Sequence, residues 1–186
     1  MIEAPWYSRL FYVNILVFVI SFLLCAIIGA KRMGAPEPKS RVIVTLIFFI
    51  VGCVLMWFVS FSIDLAFWIG FCIIVFGEVV FALGFIAMRE HPEKKKAVVD
   101  WGIYKVSRHS HILAGIICVF GVIVMGWNAA SIMYMILWIY FVVFILMSHS
   151  YVLGEEKKNV EKFGEEYTNY MNKTPRYIGI PKSRKK

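Results

Sequence analysis

An arginine beside a histidine, Arg108-His109, and a pair of glutamates, Glu155-Glu156, each stand where a long apolar run meets a charged segment. Opposite charges gathered at one membrane–water boundary suit a zwitterionic ligand with a positive centre, because charge-assisted hydrogen bonds are about twice as strong as neutral ones. A third acid, Glu78, lies ten residues inside an apolar run. A carboxylate at that depth faces the bundle interior or a water-filled cavity. It reads equally as a protonated packing residue or as a group that orients substrate and receives a proton.

The first cluster is part of a longer polar stretch, Trp101-Gly102-Ile103-Tyr104-Lys105-Val106-Ser107-Arg108-His109-Ser110-His111, which runs into Ile112-Leu113-Ala114-Gly115. Gly102 and Gly115 permit close backbone approach. His109 and His111 lack a carboxylate or cysteine companion at metal-ligand spacing, so no metal site is expected. The plainer reading of this stretch is a snorkelling Arg108 with interfacial histidines. The glutamate pair leads into Phe163-Gly164-Glu165-Glu166-Tyr167 and Tyr170, where Val160, Phe163, Tyr167 and Tyr170 form an apolar stripe at helical spacing. This helix is expected either to extend the last apolar run or to lie in the interface, and because proline disfavours helix in the residue before it, to end ahead of Lys173-Thr174-Pro175.

Elements must bring these groups together, and the hydropathy pattern supplies them. A hydrocarbon core about 30 Å thick takes roughly 20 apolar residues of helix. Five runs qualify: Leu10–Ala30, Val42–Phe61, Leu65–Met88, the shorter Ile112–Trp127, and Ala130–Leu153. The short fourth run tilts little, begins inside the preceding polar stretch, or forms a tight hairpin with the fifth. With five spans, one face carries a single Lys or Arg, Arg9, and the other carries nineteen. Cytoplasmic loops are the basic ones, so the N-terminus is expected outside and the C-terminus inside. The expected fold is all-α: a polytopic integral membrane bundle of about five transmembrane helices with a cytoplasmic C-terminal helix. Residues 1–64 read as a structural helix pair, and 65–186 hold every polar cluster.

Several classes drop out. A net charge of +8 spread over several loops suits anionic lipid headgroups better than nucleic acid. Cys25, Cys53, Cys72 and Cys118 lie inside apolar runs without paired spacing, which argues against disulfides or a metal centre. The first run is too long for a signal peptide and lacks a basic leader, so it is expected to remain as an anchor. No internal repeat is visible, which weakens a transporter of inverted halves.

From about residue 97 to 178 the chain resembles the integral-membrane methyltransferases, the isoprenylcysteine carboxyl methyltransferases and phospholipid N-methyltransferases. Their pattern is G-x-Y, then R-H-P-x-Y-x-G opening a helix, a hydrophobic hairpin, E-E, and F-G-x-x-Y-x-x-Y before a proline-basic end. Gly102-Ile103-Tyr104, Arg108-His109, Glu155-Glu156, Phe163-Gly164-Glu165-Glu166-Tyr167, Tyr170 and Pro175-Arg176 follow that order. The family proline is Ser110 here, the tyrosine Ile112, and the glycine Ala114, with Gly115 one place later. His149 and Tyr151 occupy the region where isoprenylcysteine enzymes carry an arginine one turn before the acidic pair.

The resemblance implies S-adenosylmethionine as cofactor, bound by Tyr104, Arg108, His109, Gly115, Glu155, Glu156 and Tyr167. It implies methyl transfer at the cytoplasmic face to a lipid or lipidated acceptor, a prenylcysteine carboxylate or a phospholipid amine, entering from the bilayer. Glu78, His149 and Tyr151 are the candidate catalytic groups, and an amine acceptor would need Glu78, His109 or His149 as base. The host membrane is expected to be a prokaryotic plasma membrane ahead of the endoplasmic reticulum. The absence of G-x-G-x-x-G agrees with a site built from span ends instead of a Rossmann domain. Two other readings stand beside it: an NADPH-dependent sterol-reductase-like enzyme, whose usual asparagine- and histidine-rich ending is not evident here, and a non-catalytic scaffold that retains the fold.

Overall fold

The computed structural model describes residues 47, 50–52, 54–55, 64–89, 97–127 and 132–179. Among them all regular structure is helical: α1 (Leu65–Arg89), a 3-10 turn η1 (Gly102–Lys105), α2 (Ser110–Met125), α3 (Ile132–Phe163) and α4 (Glu165–Lys173). The described residues between 47 and 55 are helical too. The expected span Leu10–Ala30 lies outside the described residues, as does most of Val42–Phe61.

The third expected span matches α1 to within a residue at its end. The fourth run forms a helix that starts in the polar stretch, at Ser110, and ends at Met125; at 16 residues it is no longer than the run itself and falls short of the length needed to cross a bilayer. The fifth does not stop at Leu153. It continues through Gly154 and the charged segment to Phe163, 32 residues in all, or about 48 Å at 1.5 Å per residue. Only the part up to Leu153 is apolar, so roughly the last ten residues form a charged extension. Gly164 then breaks the helix at φ 56° and caps α4, dividing what the apolar stripe suggested was one helix. Glycine takes that left-handed conformation without the Cβ penalty other residues face. The stripe still works as one surface: Tyr167 and Tyr170 pack with Val98, Val160, Phe163 and Met171.

Among the described residues two helices, Leu65–Arg89 and Tyr134–Phe163, are long and apolar enough to cross a membrane by length and composition. Their outer faces are apolar as well: Trp68, Phe76, Val79, Leu83 and Ile86 on α1 and Met135, Ile139, Val142 and Leu146 on α3 are exposed. Inside, Phe67 and Ile74 of α1 meet Val119 and Ile123 of α2 and Leu137 and Phe141 of α3 in one core.

Close approach of α1 and α2 depends on a seam of small residues. Gly70, Gly77 and Gly84 recur every seven residues on the buried face of α1. A side chain at Gly70 would run into the backbone of Gly121 and Met125, and one at Gly121 would stand 2.9 Å from Gly70 O. Without room for a Cβ on either side, the helices can touch backbone to backbone, the packing favoured where lipid removes the usual hydrophobic drive between helices. Gly70→Val should therefore destabilise the purified protein by about 1–3 kcal/mol through overpacking. Gly115→Ala, where a Cβ meets only Phe144 at an ordinary 3.9 Å, should be close to neutral. Unfolding of the two variants in the same detergent checks the contrast.

Candidate functional site

The site assembles at the end of the bundle where α1 finishes, α2 begins and α3 emerges as its charged extension. Trp101 fixes the approach by donating its indole N–H to Ala87 O near the end of α1 (2.7 Å). Gly102, at φ 58°, lets the chain turn against Ala87. η1 is held from the other side, where the Tyr170 hydroxyl of α4 donates to Tyr104 O (2.7 Å). Val98 N–H donates to Glu166 Oε1 (3.3 Å). The polar stretch is thereby clamped between α1 and α4 before it delivers Arg108 and His109 to the start of α2.

Arg108 reaches α3 and α4 together. Its Nη2 donates to Glu156 Oε1 at 2.8 Å, and its Nη1 donates to Met171 O and Thr174 O at the end of α4. A guanidinium over the last carbonyls of a helix satisfies acceptors that have no partner within the helix and complements the dipole. His109 is 1% exposed and lies between the two glutamates, Nε2 3.3 Å from Glu156 Oε1 and Nδ1 3.4 Å from Glu155 Oε2. Arg176, beyond α4, closes on Glu156 with a fork, Nε to Oε1 at 3.0 Å and Nη2 to Oε2 at 2.7 Å.

Burial alone would push both glutamates up and His109 down. The close His109–Glu155 ion pair and the hydrogen bonds and charges gathered on Glu156 outweigh it, holding the glutamates below the usual carboxylate range and His109 above the usual imidazole range. As an imidazolium, His109 is a donor at both nitrogens, and each faces a carboxylate. Burial pushes the nearby Tyr167 phenol up to about 12, so it keeps its proton.

The capacity of this cluster is unevenly spent. Glu156 accepts from Arg108, His109 and Arg176. By contrast Glu155 Oε2, His109 Nδ1, Arg108 Nε, Ser110 Oγ and His111 Nδ1 are buried without a hydrogen-bond partner; the contact between the first two is an ion pair without hydrogen-bond alignment. Five such atoms among five neighbouring side chains are unusual, since buried polar groups are nearly always paired. They offer acceptors and donors together, which fits a ligand bearing both.

The remaining expected residues are dispersed. Tyr104 and Tyr167 are buried beside the cluster, in the wall formed with Tyr170. Gly115 lies further along α2, packed towards Phe144 of α3. Glu78 sits on α1 next to Gly77, the residue that abuts Cys118; its Oε1 is buried without a partner, and no hydrogen bond or ion pair joins it to the cluster. His149 Nδ1 is 3.2 Å from the Tyr177 hydroxyl, and Tyr151 is half-buried one turn before Glu155. Sequence reasoning missed Arg176 and Tyr177 as site residues. The available signal was charge balance, because two buried glutamates need more than one arginine. Among the described residues no group of three His, Cys, Asp or Glu side chains is placed to hold a metal ion.

A family model described as a protein of unknown function, DUF1295, matches residues 5–174. No curated protein and no solved structure matches the chain.

The pKa directions give a signed pH dependence of stability. The raised His109 contributes stability that is complete below its ordinary value of 6.5 and is lost as pH rises through the folded value. The lowered Glu156 contributes stability present above 4.5 and lost as pH falls towards its folded value. Melting temperatures of the wild type and His109→Gln should differ most on the acid side of 6.5 and converge at alkaline pH. A constant difference across that range would contradict the assignment of His109 as the cation between the glutamates.

Proposed function

The chain belongs to the DUF1295 family, and we propose that it is a membrane enzyme transferring a methyl group from S-adenosylmethionine to a lipid or lipidated acceptor. The observation that carries the reading is the meeting of Arg108-His109 with Glu155-Glu156 in one buried cluster, Arg108 and Glu156 being 2.8 Å apart. Span ends that converge in this way can make a nucleoside site without a soluble nucleotide-binding domain. The apolar outer faces of α1 and α3 support a membrane setting for these two helices, and the one-to-nineteen split of basic residues in the sequence is the support for five spans with the N-terminus outside and the C-terminus cytoplasmic.

The unpartnered atoms fit the cofactor. Glu155 Oε2, with lone-pair capacity beyond its ion pair to His109, would accept from ribose hydroxyls or an amino group, while Arg108 Nε and Ser110 Oγ would donate to a carboxylate or ring nitrogen. When bound, S-adenosylmethionine supplies an electrophilic methyl carbon on a sulfonium. The protein's part is then to orient the acceptor and exclude water. A carboxylate acceptor needs no base. An amine must lose a proton, and because His109 keeps its own between two carboxylates, Glu78 and His149 are the groups left to take it.

One observation favours a second reading, a non-catalytic scaffold. Arg108 and Glu156 are largely satisfied by protein partners, as a purely structural knot would be. An NADPH-dependent reductase remains as a third reading on the family resemblance. Equilibrium binding to the purified protein in detergent separates them. Saturable S-adenosylmethionine binding supports the methyltransferase, binding of NADPH alone the reductase, and binding of neither the scaffold. Glu155→Gln should weaken S-adenosylmethionine at least about tenfold, the worth of a hydrogen bond to a charged group, and Cys72→Ala should leave it unchanged. Arg108→Ala should abolish binding, partly by uncapping α4. With lipid extract as acceptor, a rate that rises with pH between about 6 and 9 marks an amine, and a flat profile marks a carboxylate.

A further inference from the structure

We infer that residues 175–177 are a strap that closes the Arg108–His109–Glu155–Glu156 cluster on its solvent side and must lift for a polar ligand to enter. This rests on reading the cluster as a ligand site, and adds that access to it is gated.

The strap lies across the polar stretch at several points. Arg108 N–H donates to Pro175 O (3.0 Å), and His109 N–H donates to Arg176 O (3.2 Å). The Ser107 hydroxyl also donates to Arg176 O (3.3 Å). The Arg176 side chain returns over Glu156 as a fork, and the Tyr177 hydroxyl meets His149. Beneath these contacts His109, Ser107 and both glutamates are buried. Above them the surface opens: the Arg176 side chain is 33% exposed, against 8% for Arg108. The other walls belong to packed elements, with α3, which carries both glutamates, on one side and the buried Tyr104, Tyr167 and Tyr170 on another.

What holds the strap is polar and local. No residue of 175–177 belongs to an apolar core cluster, and none is helical. Its two ends differ. Thr174 is buried and its N–H donates to Tyr170 O (3.0 Å), anchoring the near end. Ile178 is exposed, and Gly179 has φ 122°, a conformation nearly confined to glycine. The strap can therefore pivot about Thr174 by exchanging a few hydrogen bonds for water and parting the Tyr177 ring from His149, without opening an apolar core. Arg176 is its latch, because the fork on Glu156 is its strongest contact.

The test is a thiol placed under the strap. Ser107→Cys is a near-isosteric change at a residue 2% exposed, and alkylation by iodoacetamide can be read peptide by peptide in the full-length protein. Adding Arg176→Ala should speed alkylation at position 107 about tenfold, the effect of one charge-assisted contact. Adding Tyr177→Phe should act in the same direction but less. Cys118, buried within α2, reports on general unfolding in the same molecule and should stay unreactive. No acceleration at position 107 in either background, or a parallel rise at Cys118 in both, would overturn the strap. Saturating S-adenosylmethionine should slow the reaction at position 107 in the Arg176→Ala background. If the cofactor has no effect while the latch variants still accelerate alkylation, the strap stands and the methyltransferase reading falls.

Discussion

The Glu156 carboxylate is where three distant parts of the chain converge. Arg108 comes from the start of α2, Glu156 from the extension of α3, and Arg176 from beyond α4, with His109 between the two acids. Removing a carboxylate from water costs several kcal/mol, and that cost is recovered only with close partners and satisfied lone pairs. Glu156 has both, and its partners sit 47, 48 and 20 residues away in sequence. The ion cluster therefore fixes a register: α3 cannot slide along α2, nor α4 detach, without leaving charge buried and unpaired. That registry is a more secure role for the cluster than net stabilisation, since buried ion pairs often return little more than their desolvation cost.

The same constraint divides the labour between the two glutamates. Glu156 is spent on holding the fold together, while Glu155, one residue away on the same helix, keeps an oxygen without a hydrogen bond. One residue along a helix is a turn of 100°, enough to point neighbouring side chains at different surroundings. A doublet of acids at a helix end thus serves as an anchor on one side and, on the other, as an ion-pair partner of His109 with hydrogen-bonding capacity left over. The glycine seam supplies the rigid floor for this arrangement, because backbone contact between α1 and α2 leaves little freedom in where α2 begins.

Much of this was legible in the residues. The bounds of α1 and the approach of Arg108-His109 to Glu155-Glu156 follow from hydropathy length and from hairpin topology, whereas the start of α2 in the polar stretch was one of three alternatives that the short fourth run left open. The break at Gly164 was not legible, because an apolar stripe at three- and four-residue spacing reads the same through a bent helix as through a straight one. The seven-residue spacing of Gly70, Gly77 and Gly84 was in plain view, but its meaning depends on which face of α1 meets α2, a tertiary fact. Arg176 escaped for the opposite reason. Pro175-Arg176 stood in the resembled pattern only as a proline-basic end, and nothing in that pattern says that the chain folds back to lay this arginine over an acid.

The unbroken course of α3 has a mechanical consequence. Its apolar part and its charged extension form one rigid rod, so the angle adopted in lipid is inherited by the end that carries the acidic pair. A helix meets a thinner hydrocarbon layer by leaning over. The tip at Phe163 stands roughly 15 Å beyond the apolar part, so in a bilayer a lean of about 10° would carry it sideways by nearly 3 Å. Glu155 and Glu156, only a few residues past Leu153, would move by less than about 1 Å. The acidic pair sits close to the pivot, so its charges keep their spacing while the far end of the rod swings.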